Sequence, residues 1–205
     1  MTPLDIIFAI IILIMSVVIH EVSHGYMASY LGDPTARLVG RLTLNPLKHL
    51  DPIGSFVVPL ITSTFGFVFG WAKPVPYNPH NLRGGKWGPA LVAVAGPGAN
   101  IVLALIAGSC IRFGLAPLGT PFGSIALLIT AVNIVLAVFN MIPLPPLDGS
   151  KVLFALLPYS LRMVEETMNR YQLVFLAVLI FMGLPFVGNV VQVLLGLIVT
   201  PLGLF

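Results

Sequence analysis

Long apolar runs separated by a few polar clusters organise this chain. Residues from about Leu4 to Leu31 read as one helix, ended by the stop signal Gly32-Asp33-Pro34. A second helix is expected from about Pro89 to Phe113, with Pro97 near its start. A third runs from about Ser124 to Met141 and breaks into Pro143, Pro145 and Pro146. Two further runs, about Tyr171 to Leu184 and Phe186 to Leu204, read as a hairpin turning at Pro185. The first of these arms is short for a hydrocarbon layer roughly 30 Å thick, so its start is drawn back toward Glu166. The run Ile53 to Phe69 is nearly long enough to span, but Pro59 and Gly66 interrupt it. Two polar stretches, Arg37 to Asp51 and Trp71 to Lys86, flank that run. The second contains Lys73-Pro74-Val75-Pro76-Tyr77-Asn78-Pro79 and reads as extended, because residues before proline avoid the α region. Both stretches are expected to supply short strands near one membrane face.

Composition explains these runs. Only 8% of the 205 residues are charged and 58% are hydrophobic, against about 25% charged in an average soluble domain. Mean hydropathy is +1.03. So few charges cannot cover a water-facing surface, which excludes an ordinary cytosolic enzyme and a disordered chain. The expected fold is an all-α polytopic membrane protein, residues 1–205 forming one domain. It has about five spanning helices, one re-entrant or interfacial segment and short strands at the cytoplasmic face. The net charge of +3 comes from scattered residues, with no basic cluster of the kind that binds nucleic acid. A lone Cys110 excludes an internal disulfide. The N-terminus has no positive n-region and no evident cleavage site, so the first apolar run reads as a retained membrane helix.

Chemistry concentrates at His20-Glu21-Val22-Ser23-His24, an H-E-x-x-H. On a helix this spacing puts both imidazoles on one face, one turn apart, able to grip one zinc ion with Glu21 beside it as general base. The alternative is a pair of helix histidines in a polar seam. Ionisable groups at the end of a membrane span are costly and usually functional, which favours the metal. A catalytic zinc needs a third protein ligand and an open position for water. Glu165 and Glu166 lie in a polar stretch with Arg162 and Arg170 and read as a solvated helix. His49, Asp51 and His80 in the polar stretches remain chemically possible. Asp148 follows the proline-rich break Asn140-Met141-Ile142-Pro143-Leu144-Pro145-Pro146-Leu147-Asp148-Gly149. Irregular backbone of this kind is tolerated in a membrane where it lines a polar cavity. Taken alone, Asp148-Gly149 is also a plain interfacial turn.

An H-E-x-x-H on a membrane helix, followed far downstream by N-x-x-P-x-x-x-L-D-G, resembles the site-2 protease family of intramembrane zinc metalloproteases. The second motif is met here by Asn140, Pro143, Leu147, Asp148 and Gly149, and Ala95-Gly96-Pro97-Gly98-Ala99-Asn100 is similar to the family's A-G-P-x-x-N. The resemblance implies His20, His24 and Asp148 as ligands to one Zn²⁺ per chain and Glu21 as the catalytic carboxylate. It implies supporting polar roles for Asn140 and Asn100. The chain starts almost directly with the motif helix and lacks the PDZ or CBS modules of some members. The implied reaction is hydrolysis of peptide bonds in membrane-embedded, single-span proteins, in a prokaryotic inner membrane. The rivals are a zinc transporter, which would favour further ligands along a path, and a non-proteolytic partner protein, against which an intact Glu21 counts.

One metal meeting residues near the C-terminal ends of two helices requires those helices to run the same way, with the intervening one opposed. Ile53 to Phe69 should then not cross. With that segment re-entrant, Arg37, Arg41, Lys48, Lys73, Arg83, Lys86, Lys151, Arg162 and Arg170 share one side and Arg112 alone lies opposite, 9 against 1. If the segment spans, the split is 6 against 4. The positive-inside rule prefers the first and puts the catalytic end toward the cytoplasm.

Overall fold

The computed structural model describes residues 3–64 and 70–200. Three long helices build the body: α1 (Pro3–Tyr30), α4 (Trp87–Arg112) and α5 (Pro121–Asn140). Each is long and apolar enough to cross a membrane. Between α1 and α4 lie the short α2 (Thr35–Leu38) and α3 (Val58–Ser63); after α5 come α6 (Gly149–Leu156), α7 (Arg162–Arg170), α8 (Gln172–Val178) and α9 (Leu184–Val199). Helix α4 is central and packs against α1, α5, α6 and α9.

Local chemistry sets the helix ends. At the end of α1, Gly32 takes φ +107°, a left-handed conformation suited to glycine, and Asp33 N–H bonds back to the Ala28 carbonyl at 2.9 Å. Helix α5 opens with Thr120, whose hydroxyl accepts the Gly123 N–H at 3.0 Å, and with Pro121 in its first turn. The first half of α1 turns Ile6, Ile7, Ile10 and Ile11 outward, whereas Ser16, Val18, His20, Val22 and His24 are buried. An apolar surface of this kind suits lipid rather than water, and the enclosed half of α1 is the half that carries His20, Glu21 and His24.

Asp33 stitches the end of α1 to the extended stretch. Its fully buried carboxylate accepts from the Thr35 hydroxyl at 2.6 Å, the Asn78 N–H at 2.8 Å and the Asn81 side-chain amide at 2.8 Å. Burial pushes this carboxyl's pKa up, but these donors outweigh burial and hold it below the usual carboxylate value.

Two sequence expectations are corrected. First, no strand forms among the described residues. The stretch Arg37 to Asp51 holds the end of α2 and a 3₁₀ turn at Pro46–Lys48; in Trp71 to Lys86, residues 71–78 are irregular and a 3₁₀ turn follows at Pro79–Asn81. Prolines 74 and 76 have no N–H, and the buried Arg41 guanidinium takes up the Lys73 and Pro74 carbonyls at 2.7 and 3.2 Å. With donors missing and acceptors occupied, this stretch is a strap held by side chains rather than a ladder strand. Second, there is no hairpin at Pro185. Residues 172–199 are helical throughout, α8 passing through a π-helical turn (Leu179–Gly183) into α9. Proline removes an N–H and crowds the carbonyl four residues back; a wider turn just before it absorbs both effects without ending the helix. The run finishes beside the end of α4, where Arg112 donates to the Leu197 carbonyl at 2.6 Å and Val199 packs with Ile111, Ala116 and Ala126.

The ambiguous segment is helical from Ile53 to Ser63, and residues 65–69 of it lie outside the described residues. Trp71, just beyond the segment, bonds back to its start: its N–H donates to the Gly54 carbonyl at 3.0 Å, and its carbonyl accepts from the Ser55 hydroxyl at 3.1 Å.

Candidate metal centre

His20 and His24 lie one turn apart on α1, their rings edge to face with centroids 4.6 Å apart. Both are buried. Each ring is tethered through Nδ1: His24 to the Val92 carbonyl at 2.7 Å and His20 to Asn100 Oδ1 at 2.6 Å. A carbonyl can only accept, so His24 carries its proton on Nδ1 and presents the Nε2 lone pair to the site. Glycine makes room for the rings. A Cβ on Gly96 would stand 2.5 Å from His24 Cε1 and Nε2 and 2.7 Å from His20 Nε2. Gly96 of the A-G-P-x-x-N stretch therefore supplies a flat patch of α4 under both imidazoles, and Asn100, one turn on, supplies the tether.

Asp148 arrives from the other side, after the proline-rich break that ends α5. The chain folds back tightly there, Gly149 lying against the Met141 and Ile142 carbonyls where a side chain would not fit. This turn puts Asp148 Oδ2 3.1 Å from His20 Nε2 and 3.2 Å from His24 Nε2. Ligand atoms about 2.0–2.2 Å from a tetrahedral zinc lie roughly 3.3–3.5 Å from one another. Both histidine–aspartate separations thus stand within a few tenths of an ångström of the spacing zinc requires, and two neutral imidazoles with one carboxylate are a donor set zinc favours. Glu21 stands beside them; one atom each of His20, Glu21 and His24 lie within 4.8 Å of one another.

The strap closes the centre. Val75 N–H donates to Glu21 Oε2 at 2.9 Å, and since Pro74 and Pro76 have no N–H, it is the single backbone donor of that tripeptide. A cavity of about 210 Å³ remains, lined by His20, Glu21, His24, Val75, Tyr77, Asn140, Asp148 and Lys151, among others. Burial, and then the Asp148 carboxylate nearby, push the Tyr77 phenol above its ordinary value, so it stays a neutral hydroxyl at the cavity wall.

Asn140 sits in the cavity wall, its amide nitrogen donating to the Leu136 carbonyl of its own helix at 2.9 Å. The other sequence candidates for a third ligand serve local structure. His49 Nε2 meets the Thr43 carbonyl at 2.8 Å, Asp51 accepts from the N–H groups of Ile53 and Gly54 at 3.0 and 2.7 Å, and His80 is exposed. Glu166 pairs with Arg162 at 3.5 Å on the exposed α7. None of these lines the cavity. Sequence reasoning passed over Val75, Tyr77, Lys151, Ser16 and Asn133. Only Asn133 carried a signal, as an amide in the middle of an apolar helix.

A family model described as peptidase family M50 matches residues 115–183, the stretch that includes Asn140 and Asp148. The chain is 38% identical over 162 residues to "Putative zinc metalloprotease YwhC" of Bacillus subtilis (strain 168), covering 76% of this chain and 71% of that protein. It is 31% identical over 136 residues to "Putative zinc metalloprotease Rip2" of Mycolicibacterium smegmatis, covering 66% and 52%. With the protein of that name in Mycobacterium tuberculosis (strain ATCC 25618 / H37Rv) it shares 26% identity over 166 residues, covering 81% and 63%. The chain thus spans between about half and seven tenths of these relatives' lengths. No solved structure matches it.

Proposed function

We propose that this chain, which belongs to peptidase family M50 and is a zinc metalloendopeptidase, hydrolyses peptide bonds of membrane-embedded, single-span proteins with Glu21 as its general base. The observation that carries this is the approach of His20 Nε2 and His24 Nε2 to Asp148 Oδ2, at 3.1 and 3.2 Å, with the Glu21 carboxylate beside them. These three side chains hold the metal. When bound, zinc lowers the pKa of its water to about 7 and polarises the scissile carbonyl. Glu21 accepts a proton from the attacking water and passes it to the leaving amine. In the present arrangement the Val75 N–H restrains Glu21 Oε2, which orients the carboxylate. Asn140 and Tyr77 supply polar groups to the cavity wall where a substrate backbone would lie. A locally unwound substrate offers free backbone groups, and Pro74, Val75 and Tyr77 of the strap border the cavity it would enter.

Glu21→Gln is expected to keep one zinc per chain and lose cleavage by at least about 10²-fold. Metal analysis and a gel-based cleavage assay on a purified single-span substrate check this, and undiminished cleavage would sink the assignment. A zinc transporter is disfavoured because a single group of metal-ligating side chains is found among the described residues.

The same reading sets the topology. Four crossings replace five: α1, α4, α5 and the run 172–199. The segment from Ile53 does not cross, because its described helical part of 11 residues rises only about 16 Å and Trp71, just beyond it, is hydrogen-bonded back to Gly54. The Lys and Arg distribution stays 9 against 1, putting the metal end nearer the cytoplasm of a prokaryotic inner membrane. Single cysteines in a Cys110→Ser background test this with a membrane-impermeant thiol reagent. Positions Lys48, Arg83 and Asn169 should label from one side, and Gly119 and Thr200 from the other. Labelling of Lys48 and Arg83 from opposite sides would overturn the re-entrant segment, and Thr200 labelling with Asn169 would restore the hairpin.

A further inference from the structure

Behind His20, Asn100 is itself held in a chain of hydrogen bonds by two further buried polar residues from two other helices, Ser16 and Asn133, that the catalytic reading does not use. Asn133 on α5 donates its amide nitrogen to the Ile129 carbonyl at 2.9 Å and to the Ser16 hydroxyl at 2.9 Å. Its Oδ1 accepts from the Asn100 amide nitrogen at 2.7 Å, which also faces the Ser16 carbonyl at 3.3 Å. Asn100 Oδ1 then meets His20 Nδ1 at 2.6 Å. Asn100 and Asn133 are fully buried and Ser16 nearly so.

The direction of every bond in this chain is determined. A backbone carbonyl has no proton, so the Asn133 nitrogen, not its oxygen, must face Ile129. That leaves Asn133 Oδ1 toward Asn100 and forces the Asn100 nitrogen toward it, which the Ser16 carbonyl reinforces. Asn100 therefore turns its oxygen to His20. An oxygen acceptor at 2.6 Å requires the proton on Nδ1, and this leaves the lone pair on Nε2, the atom that faces Asp148 and His24. Reversal of the Asn100 amide would put an N–H against Nδ1 and drive the ring to the tautomer with no lone pair for a metal.

We propose that Asn133 is a positioning residue for the metal centre, acting through Asn100 to lock the His20 tautomer; this rests on the zinc reading above. A plain interhelical staple would use the same hydrogen bonds, so the test must separate the two roles. Zinc affinity of the full chain in detergent is measured by competition with a chromogenic chelator, so the readout is independent of cleavage. Asn100→Leu is expected to weaken zinc binding about 10–100-fold and Asn133→Leu about tenfold. The double variant should lose no more than Asn100→Leu alone, since one residue acts through the other. Thr130→Val is the control. Thr130 is fully buried one turn away and bonded only within its helix, to the Ala126 carbonyl at 2.8 Å, and its loss should leave affinity within about twofold of the parent. If Asn133→Leu fails to fold, Asn133→Thr replaces it. A threonine there can satisfy the Ile129 carbonyl as Thr130 satisfies Ala126, but it offers no amide oxygen to Asn100, and the same tenfold loss is expected. Affinity of the Asn133 variant equal to the parent, losses that multiply in the double variant, or an equal loss in Thr130→Val would each overturn the relay. A parent chain that binds no zinc would overturn the metal centre and the relay with it.

Discussion

His20 and His24 reach the centre from inside a 28-residue helix, each with its second ring nitrogen tied to a fixed acceptor on a neighbouring helix. Asp148 and the Val75 donor reach it from non-helical chain: a proline-rich turn on one side and a strap with prolines on both sides of Val75 on the other. In the helical half, geometry follows from local spacing and close packing, and very little can move without disturbing both rings. In the irregular half, position depends on a few individual anchors, such as Arg41 on the strap carbonyls and Gly149 against Met141. A membrane protease needs both kinds of construction. On the reading proposed above, the metal must stay fixed while a substrate backbone enters beside it, and the strap side is where backbone can be displaced at the cost of a few hydrogen bonds.

Substitutions that load one half and spare the other sharpen this contrast. Gly96→Ala carries the larger expected effect. The added methyl would press on both imidazoles, which have no room to retreat, and zinc affinity should fall by about tenfold or more. Gly98→Ala on the same helix meets nothing within 4 Å and should leave affinity unchanged. Equal behaviour of the two variants in a chelator titration would show that the helical half is softer than argued. Arg41→Met carries the smaller effect. It frees the Lys73 and Pro74 carbonyls, hydrogen bonds from a charged donor worth about 1.5–3 kcal/mol each. The strap loosens, KM for a single-span substrate rises about threefold to tenfold, and zinc content stays at one per chain. Loss of zinc in this variant would mean that the strap supports the metal and not only the substrate path.

The same division explains what could be read from the residues alone. The H-E-x-x-H is legible because helix periodicity is local: four residues fix the relative position of two rings whatever surrounds them. The three long helices are legible for the same reason, with ends displaced by only a few residues. Asp148 could be singled out only through a second motif, since nothing local brings it 128 positions back to His20. Gly96 lay within a motif too short to carry weight, and its purpose emerges only when two rings are packed upon it. Val75 is an ordinary residue whose backbone makes the contact. The expected strands failed because an extended conformation, which prolines impose, is not the same as an edge with free donors. The expected hairpin failed because Pro185 is tolerated by a π-helical turn, a response that depends on the packing of α9 against α4 and α5.

On the reading proposed above, Asp148 completes the metal site begun by the two histidines. Metal content of purified parent, Glu21→Gln and Asp148→Ala chains, measured side by side by atomic absorption, tests this most directly. The predicted result is one zinc per chain in the parent and in Glu21→Gln, and little or none in Asp148→Ala, because two imidazoles alone leave the tetrahedron short of a protein ligand. Parental zinc content in Asp148→Ala would contradict it and move the third ligand elsewhere.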